Sequence, residues 1–397
     1  MSNVQSSTQT TYGVVATLLP IMAVVLIAFS IIGLALPVLP LHVHHDLGLG
    51  TFIVGIVTGS QFAASLISRV WAGRYADAHG AKRAVTIGLV TAVASGMLYL
   101  LSLYLYNSPR FSVSVLIMGR ALLGAAESFI ITGALGWGLA LVEHRHAGKV
   151  IAWVGMAMFA AFALGAPAGT LLFDRFGFIS IAVATTVTPL IALLVIVPIR
   201  AVNIQPKNHQ RVSQVIGAVW IPGMGLAFSS IGFGAITAFI ALLFTEKGWT
   251  PLWLAFTAFA AAFILARIFF GHLPDKLGGA KVALVFALIE SAGLALIWWA
   301  PVVELALTGA LLTGAGYSLV FPGLGVEAVR RVSAQNRALA MGTYTAFLDL
   351  ALGVTTPVLG LIASWNSLGS VFLISAVLAL GSAVICAQLV RRSAVTS

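Results

Sequence analysis

"GRYADAHGAKR" at residues 73–83 and "GHLPDKLGGAK" at residues 271–281 are two versions of one charged, glycine-punctuated hairpin. Their leading glycines stand 198 positions apart in a chain of 397. At that offset Arg69 falls on Arg267, Asp77 on Asp275 and Gly80 on Gly278. Farther along, "GAAESFIITG" (124–133) aligns with "GAGYSLVFPG" (314–323) at offset 190, and Pro167 falls on Pro357 at the same offset. A longer loop, "NSPRFS", absorbs the difference. A pattern that returns after half the chain predicts two halves built alike.

The rest of the sequence is greasy. Hydrophobic residues make up 60% of the chain and charged residues 8%, against roughly 45–50% apolar content in soluble domains. Mean hydropathy is +1.06. Whole stretches, among them 84–109, 176–199 and 350–390, contain no Asp, Glu, Lys or Arg. A helix needs about 20 mainly apolar residues to cross about 30 Å of hydrocarbon. The chain therefore reads as an integral membrane protein with helices near 14–41, 51–72, 84–106, 112–137, 150–172, 177–199, 218–244, 251–271, 282–300, 304–326, 338–361 and 369–390. Lipid tolerates only helices or closed barrels, and ten-residue alternating strands are absent from the sequence, so the class is all-α. The leader "MSNVQSSTQTTYG" carries no basic residue, and the run after it is too long for a cleaved signal peptide. It reads as an anchor helix that stays. The single cysteine, Cys386, leaves no intramolecular disulfide.

Charge sets the orientation. With both termini on one side, the loops of that side hold 17 of the 21 Lys and Arg residues, counting Arg69 and Arg267 at its boundary. The positive-inside rule then places both termini in the cytoplasm. The net charge of +10 reports topology, and no basic-plus-aromatic platform for nucleic acid stands out. The widest polar break, "RAVNIQPKNHQR" (200–211), divides the chain into a six-helix bundle at 1–199, a cytoplasmic linker at 200–217 and a second bundle at 218–397. Repeated bundles of this kind form secondary transporters, with the site at the interface between the repeats.

In each hairpin Gly73 or Gly271 permits close approach of helix ends, and Gly80 or Gly278 permits the reversal. Asp77 and Asp275 are placed to face the positive N-terminus of a neighbouring helix, with basic residues such as Arg83 following. These stretches resemble the signature loop of the major facilitator superfamily, a Gly-x-Leu-x-Asp-Arg-x-Gly-Arg-Arg-like pattern between helices 2 and 3, echoed between helices 8 and 9. The first copy has Tyr75 in place of leucine and Ala78 and Ala81 at basic positions; the second keeps Leu273, Asp275, Lys276 and Gly278. "RALLGAA" (120–126) is similar to the helix-4 arginine motif of the proton-linked members, and "GAPAG" (165–169) resembles the helix-5 motif of the antiporters. The resemblance spans essentially the whole chain and is nearest to the bacterial drug- or sugar-efflux type. It implies two pseudo-symmetric six-helix bundles, alternating access, and a gate in which Asp77 locks onto the start of helix 11 in the outward-facing state.

Arg120, Glu127, Glu290 and Asp349 interrupt apolar spans. A charge at the bilayer centre costs about 2.5–3.5 kcal/mol on insertion scales, so such residues face the bundle interior or a watery cavity. The resemblance puts helices 4, 5, 10 and 11 beside that cavity. Burial disfavours an ionised carboxylate and a nearby cation favours it. Glu127 and Asp349 are thus expected to be proton- or substrate-linked, with Arg120 tuning one of them, and Glu290 on helix 9 to serve packing. Tyr317, the repeat mate of Glu127, joins Gln61 as a polar cavity candidate, and Phe228, Phe233, Phe239 and Trp253 as an aromatic wall. Gly165, Pro167 and Gly169, with Pro357 opposite, read as kink or close-packing points.

"HVHHD" (42–46) and "EHRHAGK" (143–149) read as solvated turns, without the four ligands of a closed metal site. No phosphate-binding Gly-x4-Gly-Lys-Ser/Thr loop implies direct ATP drive, and no hydrolase elbow or zinc-protease helix appears. The expected protein is not an enzyme and uses no cofactor or metal. It is a monomeric secondary transporter of the bacterial inner membrane, exporting a small solute against protons. Proton-coupled uptake, or a non-transporting receptor or scaffold of the same architecture, are the alternatives.

Overall fold

The computed structural model describes residues 11–142, 147–199, 201, 212–332 and 337–395. Among these the chain is all helical. We number the long helices α1 (Thr11–Ala35), α2 (Thr51–His79), α3 (Ala81–Tyr104), α4 (Pro109–Leu141), α5 (Ala147–Phe176) and α6 (Phe178–Ile196). The second half supplies α7 (Val212–Lys247), α8 (Leu254–Phe270), α9 (Gly279–Trp299), α10 (Val303–Arg330), α11 (Arg337–Trp365) and α12 (Leu368–Val395). Eleven are long and apolar enough to cross a membrane; α8, with 17 residues, is the shorter apolar one. At 1.5 Å per residue it spans about 26 Å. Alternating directions put Thr11 and Val395 at one end of the bundle, here the terminal face; the other end is the distal face.

Several boundaries move from their predicted places. The second helix continues seven residues past 72 to His79, carrying the whole first hairpin to Gly80 on helix. Its copy breaks: α8 stops at Phe270 and a separate turn, Leu273–Leu277, follows. Pro274 stands where the first copy has Ala76, and a residue without an N–H cannot continue the ladder. The linker expected at 200–217 is helical from Val212 onward; its other residues except Ala201, and most of "EHRHAGK", lie outside the described residues.

The repeat holds in three dimensions. Gly80 and Gly278 adopt φ of 94° and 93°, a region that glycine enters without steric penalty. A side chain at Gly124 would collide with the Gln61 carbonyl, and one at Gly314 with the Phe259 carbonyl, the same pair of places in the two halves. Gly133 against Ala81 and Val85 matches Gly323 against Gly279 and Ala283. The Ser128 hydroxyl donates to the Ser65 carbonyl at 2.7 Å; its counterpart Ser318 donates to the Phe263 carbonyl at 2.8 Å. Small residues at these crossings let backbones touch, which is how helices associate where lipid removes the hydrophobic drive.

The halves meet along α2–α11 and α5–α8. Gly55 and Gly59 of α2 receive Pro357, Gly353 of α11 lies against Ala63, and the Thr51 hydroxyl donates to the Gly360 carbonyl at 2.8 Å. Gly165 and Gly169 of α5 lie instead against Gly33 and Leu34 of α1. Both α5 and α11 run uninterrupted through Pro167 and Pro357. Residues 31–43 and 229–244, toward the distal ends of α1 and α7, are buried without a break, so protein surrounds them on every side and the distal end of the seam is closed. A shallow cleft of about 380 Å³ remains over it, lined by His44, Thr51, Glu246, Ser364 and Asn366 among others. Nearer the terminal face the same helices expose Leu19, Ile216 and Trp220. Around the outside, apolar side chains such as Leu164, Leu194 and Phe269 are more than half exposed, a surface suited to hydrocarbon and not to water.

A methyl at a tight crossing must displace backbone. Gly124→Ala and Gly314→Ala should each cost about 1–3 kcal/mol, as overpacking does, whereas Gly73→Ala, with nothing within 4 Å of the new atom, should stay within about 0.5 kcal/mol. Unfolding in mixed detergent micelles measures the difference.

Candidate functional site

Gln61, Ser65 and Arg69 follow one another at i, i+4 and i+8 on α2 and form a polar strip about 12 Å long on one face. Each member reaches a different neighbour. Gln61 is buried, and its Nε2 donates to Glu127 Oε2 of α4 at 2.7 Å. Ser65 meets the Ser128 hydroxyl at 3.0 Å. Arg69 crosses the seam: its Nε donates to Asp349 Oδ2 of α11 at 2.8 Å, and its Nη2 lies 2.5 Å from the same oxygen. Nη2 also reaches Ser65 Oγ at 3.4 Å. Asp349 is 2% exposed and Arg69 22%. An unpaired charge at this depth is strongly disfavoured, so each ion accounts for the other.

An aromatic cluster fills the seam beside this strip. Phe233 of α7 is its hub, stacked on Tyr317 at 5.7 Å and 3° and touching Phe62, Phe159, Phe162 and Phe259. Its rings come from both halves of the chain. The Tyr317 hydroxyl stands 3.3 Å from Ser230 Oγ. One residue earlier on α7, Ser229 donates to Glu290 Oε2 of α9. Glu290 is fully buried, and its Oε1 has no partner among the described residues.

The expected site residues divide into those gathered here and those placed elsewhere. Gln61, Glu127, Asp349, Tyr317 and Phe233 come together at the seam. Arg120 does not join a carboxylate: it is 1% exposed, its Nη1 reaches Tyr99 Oη at 3.4 Å, and its Nε has no partner among the described residues. Two helical turns, about 10 Å, separate it from Glu127, and Tyr99 on α3 intercepts it. Trp253 caps the distal start of α8 and is half-buried there, away from the hub. Phe228 lies against Gly381 of α12; Phe239 is fully buried.

The gate residues lie in the terminal hairpins. Asp77 is half-buried near the end of α2, and Asp275 is exposed. Close helix contact expected at Gly73 is not made, since a side chain there would meet open space, and the atoms nearest to one at Gly271 all belong to Arg267 of its own turn. "HVHHD" is a π-helical turn and only partly solvated: His45 and Asp46 are exposed, but His42 and Val43 are buried, the His42 ring stacks on Phe178 at 4.0 Å and its Nδ1 lies 2.8 Å from Asp46 Oδ2. No group of three or more His, Cys, Asp or Glu able to hold a metal gathers among the described residues.

Sequence reasoning missed Arg69 as the partner of Asp349, because a helix ending near 72 leaves Arg69 at the membrane boundary. The i+4 ladder from Gln61 was the signal available. It missed Phe62, Phe159, Phe162, Phe259 and Phe263 because no periodicity marks rings that meet from separate helices.

The profile of the Major Facilitator Superfamily matches residues 21–256 and 223–396. Over 376 residues the chain is 44% identical to an uncharacterized MFS-type transporter, STM4428, of Salmonella typhimurium, covering 95% of this chain and 97% of that one. It is 40% identical to an uncharacterized MFS-type transporter, YhhS, of Escherichia coli K12, covering 90% and 89%. Among solved structures it is similar in fold to a D-xylose-proton symporter, with TM-score 0.77, 13% identity and coverage of 94% and 96%. The nucleoside transporter NupG gives TM-score 0.71, 14% identity and coverage of 94% and 98%.

Removing one ion of the seam pair strands the other. Asp349→Leu alone should cost about 2 kcal/mol, less than the ~3–5 of a fully buried pair because Arg69 reaches water. Arg69→Leu with Asp349→Leu should recover most of it. A double-mutant cycle on unfolding in micelles reads the coupling; additive losses would show that the two ions do not support each other.

Proposed function

The chain belongs to the Major Facilitator Superfamily, a family of secondary transporters, and on that premise we propose that it exports a small solute in exchange for protons. The transporter works as a monomer in the bacterial inner membrane, with the terminal face in the cytoplasm. Its six-helix bundles, 1–199 and 218–397, alternate access to a site at their seam. The observation that supports this most is the Arg69–Asp349 pair, because it joins one half to the other through a group that can take a proton. A protonated Asp349 loses its ionic hold on Arg69, and α2 is then free to pivot on α11. Glu127, held by Gln61 on the same strip, senses the same movement and is the second proton-linked group. Solute and proton thus act on one pair of helices, which is what exchange requires of a two-state element.

On this reading, with the terminal face in the cytoplasm, the closed distal seam belongs to the cytoplasm-facing form. In the opposite form the space around Gly73 fills as the terminal ends of α2 and α11 approach. Asp77 then engages the start of α11, with Gly80 and Arg83 holding the turn. Gly271, Asp275 and Gly278 play the weaker part, since their hairpin is broken by Pro274. Gly165, Gly169, Pro167 and Pro357 are the close-packed bearings of the motion, and Arg120 braces α4 against α3.

Proton-coupled uptake uses the same parts with the opposite stoichiometric sense. After a pooled toxicity and accumulation screen identifies a solute, flux in proteoliposomes decides between them. Asp349→Asn should lower pH-gradient-driven flux at least about tenfold while solute counterflow continues, the signature of lost coupling between two ligands. Accumulation in right-side-out vesicles with inward proton flow would overturn export. Wild-type-like gradient-driven flux in Asp349→Asn would remove the proton role of the pair.

A further inference from the structure

Arg267 of α8 is the repeat counterpart of Arg69, and the two halves treat these arginines differently. Asp349 of α11 neutralises Arg69. Offset 190 makes Phe159 of α5 the counterpart of Asp349, and offset 198 makes Phe263 the counterpart of Ser65. Phe159 and Phe263 lie face to face, with centroids 3.6 Å apart and planes 15° from parallel. The second half has therefore kept the cation and replaced its polar surroundings with a stacked aromatic pair.

What surrounds Arg267 does not neutralise it. Its Nη2 donates to the Ser318 carbonyl at 3.2 Å, and its guanidinium stands 5.3 Å from the Phe263 ring centre. Its Nη1 points at Gly155 of α5, where a side-chain atom would lie 3.6 Å away. None of these is an anion, and no carboxylate among the described residues pairs with it. A guanidinium has five N–H donors in a planar fork suited to carboxylate and phosphate. The residue as a whole is half-buried, and its fork lies between α5 and α8, at the seam.

We infer that Arg267 binds an anionic group on the transported solute, which supplies in the second half the negative charge that Asp349 supplies in the first. The solute class is a small organic anion, with one carboxylate or phosphate on a body apolar enough to lie beside Phe159 and Phe263. The inference rests on the transport reading above and adds the charge class of the cargo.

Thermal unfolding of the purified full chain in detergent, with four probes sharing one ring, tests it. Benzoate and phenyl phosphate carry the two anionic groups; phenyl glucoside is neutral and phenyltrimethylammonium is cationic. At least one anion should raise Tm saturably, and which one does so separates carboxylate from phosphate. Arg267→Gln should weaken that binding at least about tenfold, as loss of a charge-assisted fork does, and Arg267→Lys should keep part of it. Arg110→Gln, on the exposed distal start of α4, should bind as wild type does. Three results would each overturn the inference: no shift with either anion, equal shifts with the neutral or cationic probe, or undiminished anion binding in both Arg267 variants. Counterflow of a neutral solute without anion binding would leave the transport reading standing and remove only this one. Anion binding without flux of any solute would do the reverse.

Discussion

A cation ten residues inside the end of a membrane helix is costly to leave unpaired, and Arg69 finds Asp349 on the other half of the chain. That requirement fixes much of what surrounds it. Helix α2 has to lie close enough to α11 for the pair to form, so the seam is lined with Gly55, Gly59, Ala63 and Gly353. The same helix has to touch α4, where Gly124 lets it approach, so that Gln61 and Ser65 reach Glu127 and Ser128. One strip of three side chains thus holds together two helices of its own half and one of the other.

The repeat explains the scaffold, and departures from it mark the chemistry. The glycine crossings, the serine-to-carbonyl bonds and the two positive-φ turns recur at equivalent places because each half solves the same packing problem in lipid. Arg69 recurs as Arg267, but the charges deeper in the spans do not recur. Asp349 has Phe159 as its counterpart, Glu127 has Tyr317, and Arg120 has Ala310. The first half carries a polar strip; the second carries stacked rings around a lone arginine. A symmetric frame with an asymmetric lining can rock as one body and still present different faces to solute and proton.

The fold was legible because lipid leaves so few options. Uncharged runs of about twenty residues have to be helices, and the duplicated hairpin announced the two halves. The acids in the seam were legible too, since Glu127 and Asp349 stand out in apolar spans. Their partners were harder to read. Asp349 and Arg69 are 280 positions apart in sequence, and no spacing rule connects them. Arg120 stands on the helix of Glu127, as a tuning cation would, but at two turns it acts on that carboxylate through its charge alone, and its side-chain contact is with Tyr99. The aromatic hub was invisible for a related reason: five helices contribute to it, and each ring looks like ordinary packing in its own sequence window. "HVHHD" was legible only in part: its polar letters are wet at His45 and Asp46, but His42 is buried against Phe178.

The account stands on the two halves changing their angle as the Arg69–Asp349 contact is made and lost. Spin labels at Arg74→Cys and Lys276→Cys, both exposed on the terminal hairpins of opposite halves, measure that angle directly by pulsed dipolar spectroscopy after Cys386→Ser. Two distance populations should appear, with Asp349→Asn shifting their weights. One narrow distance, the same with and without Asp349, would contradict it.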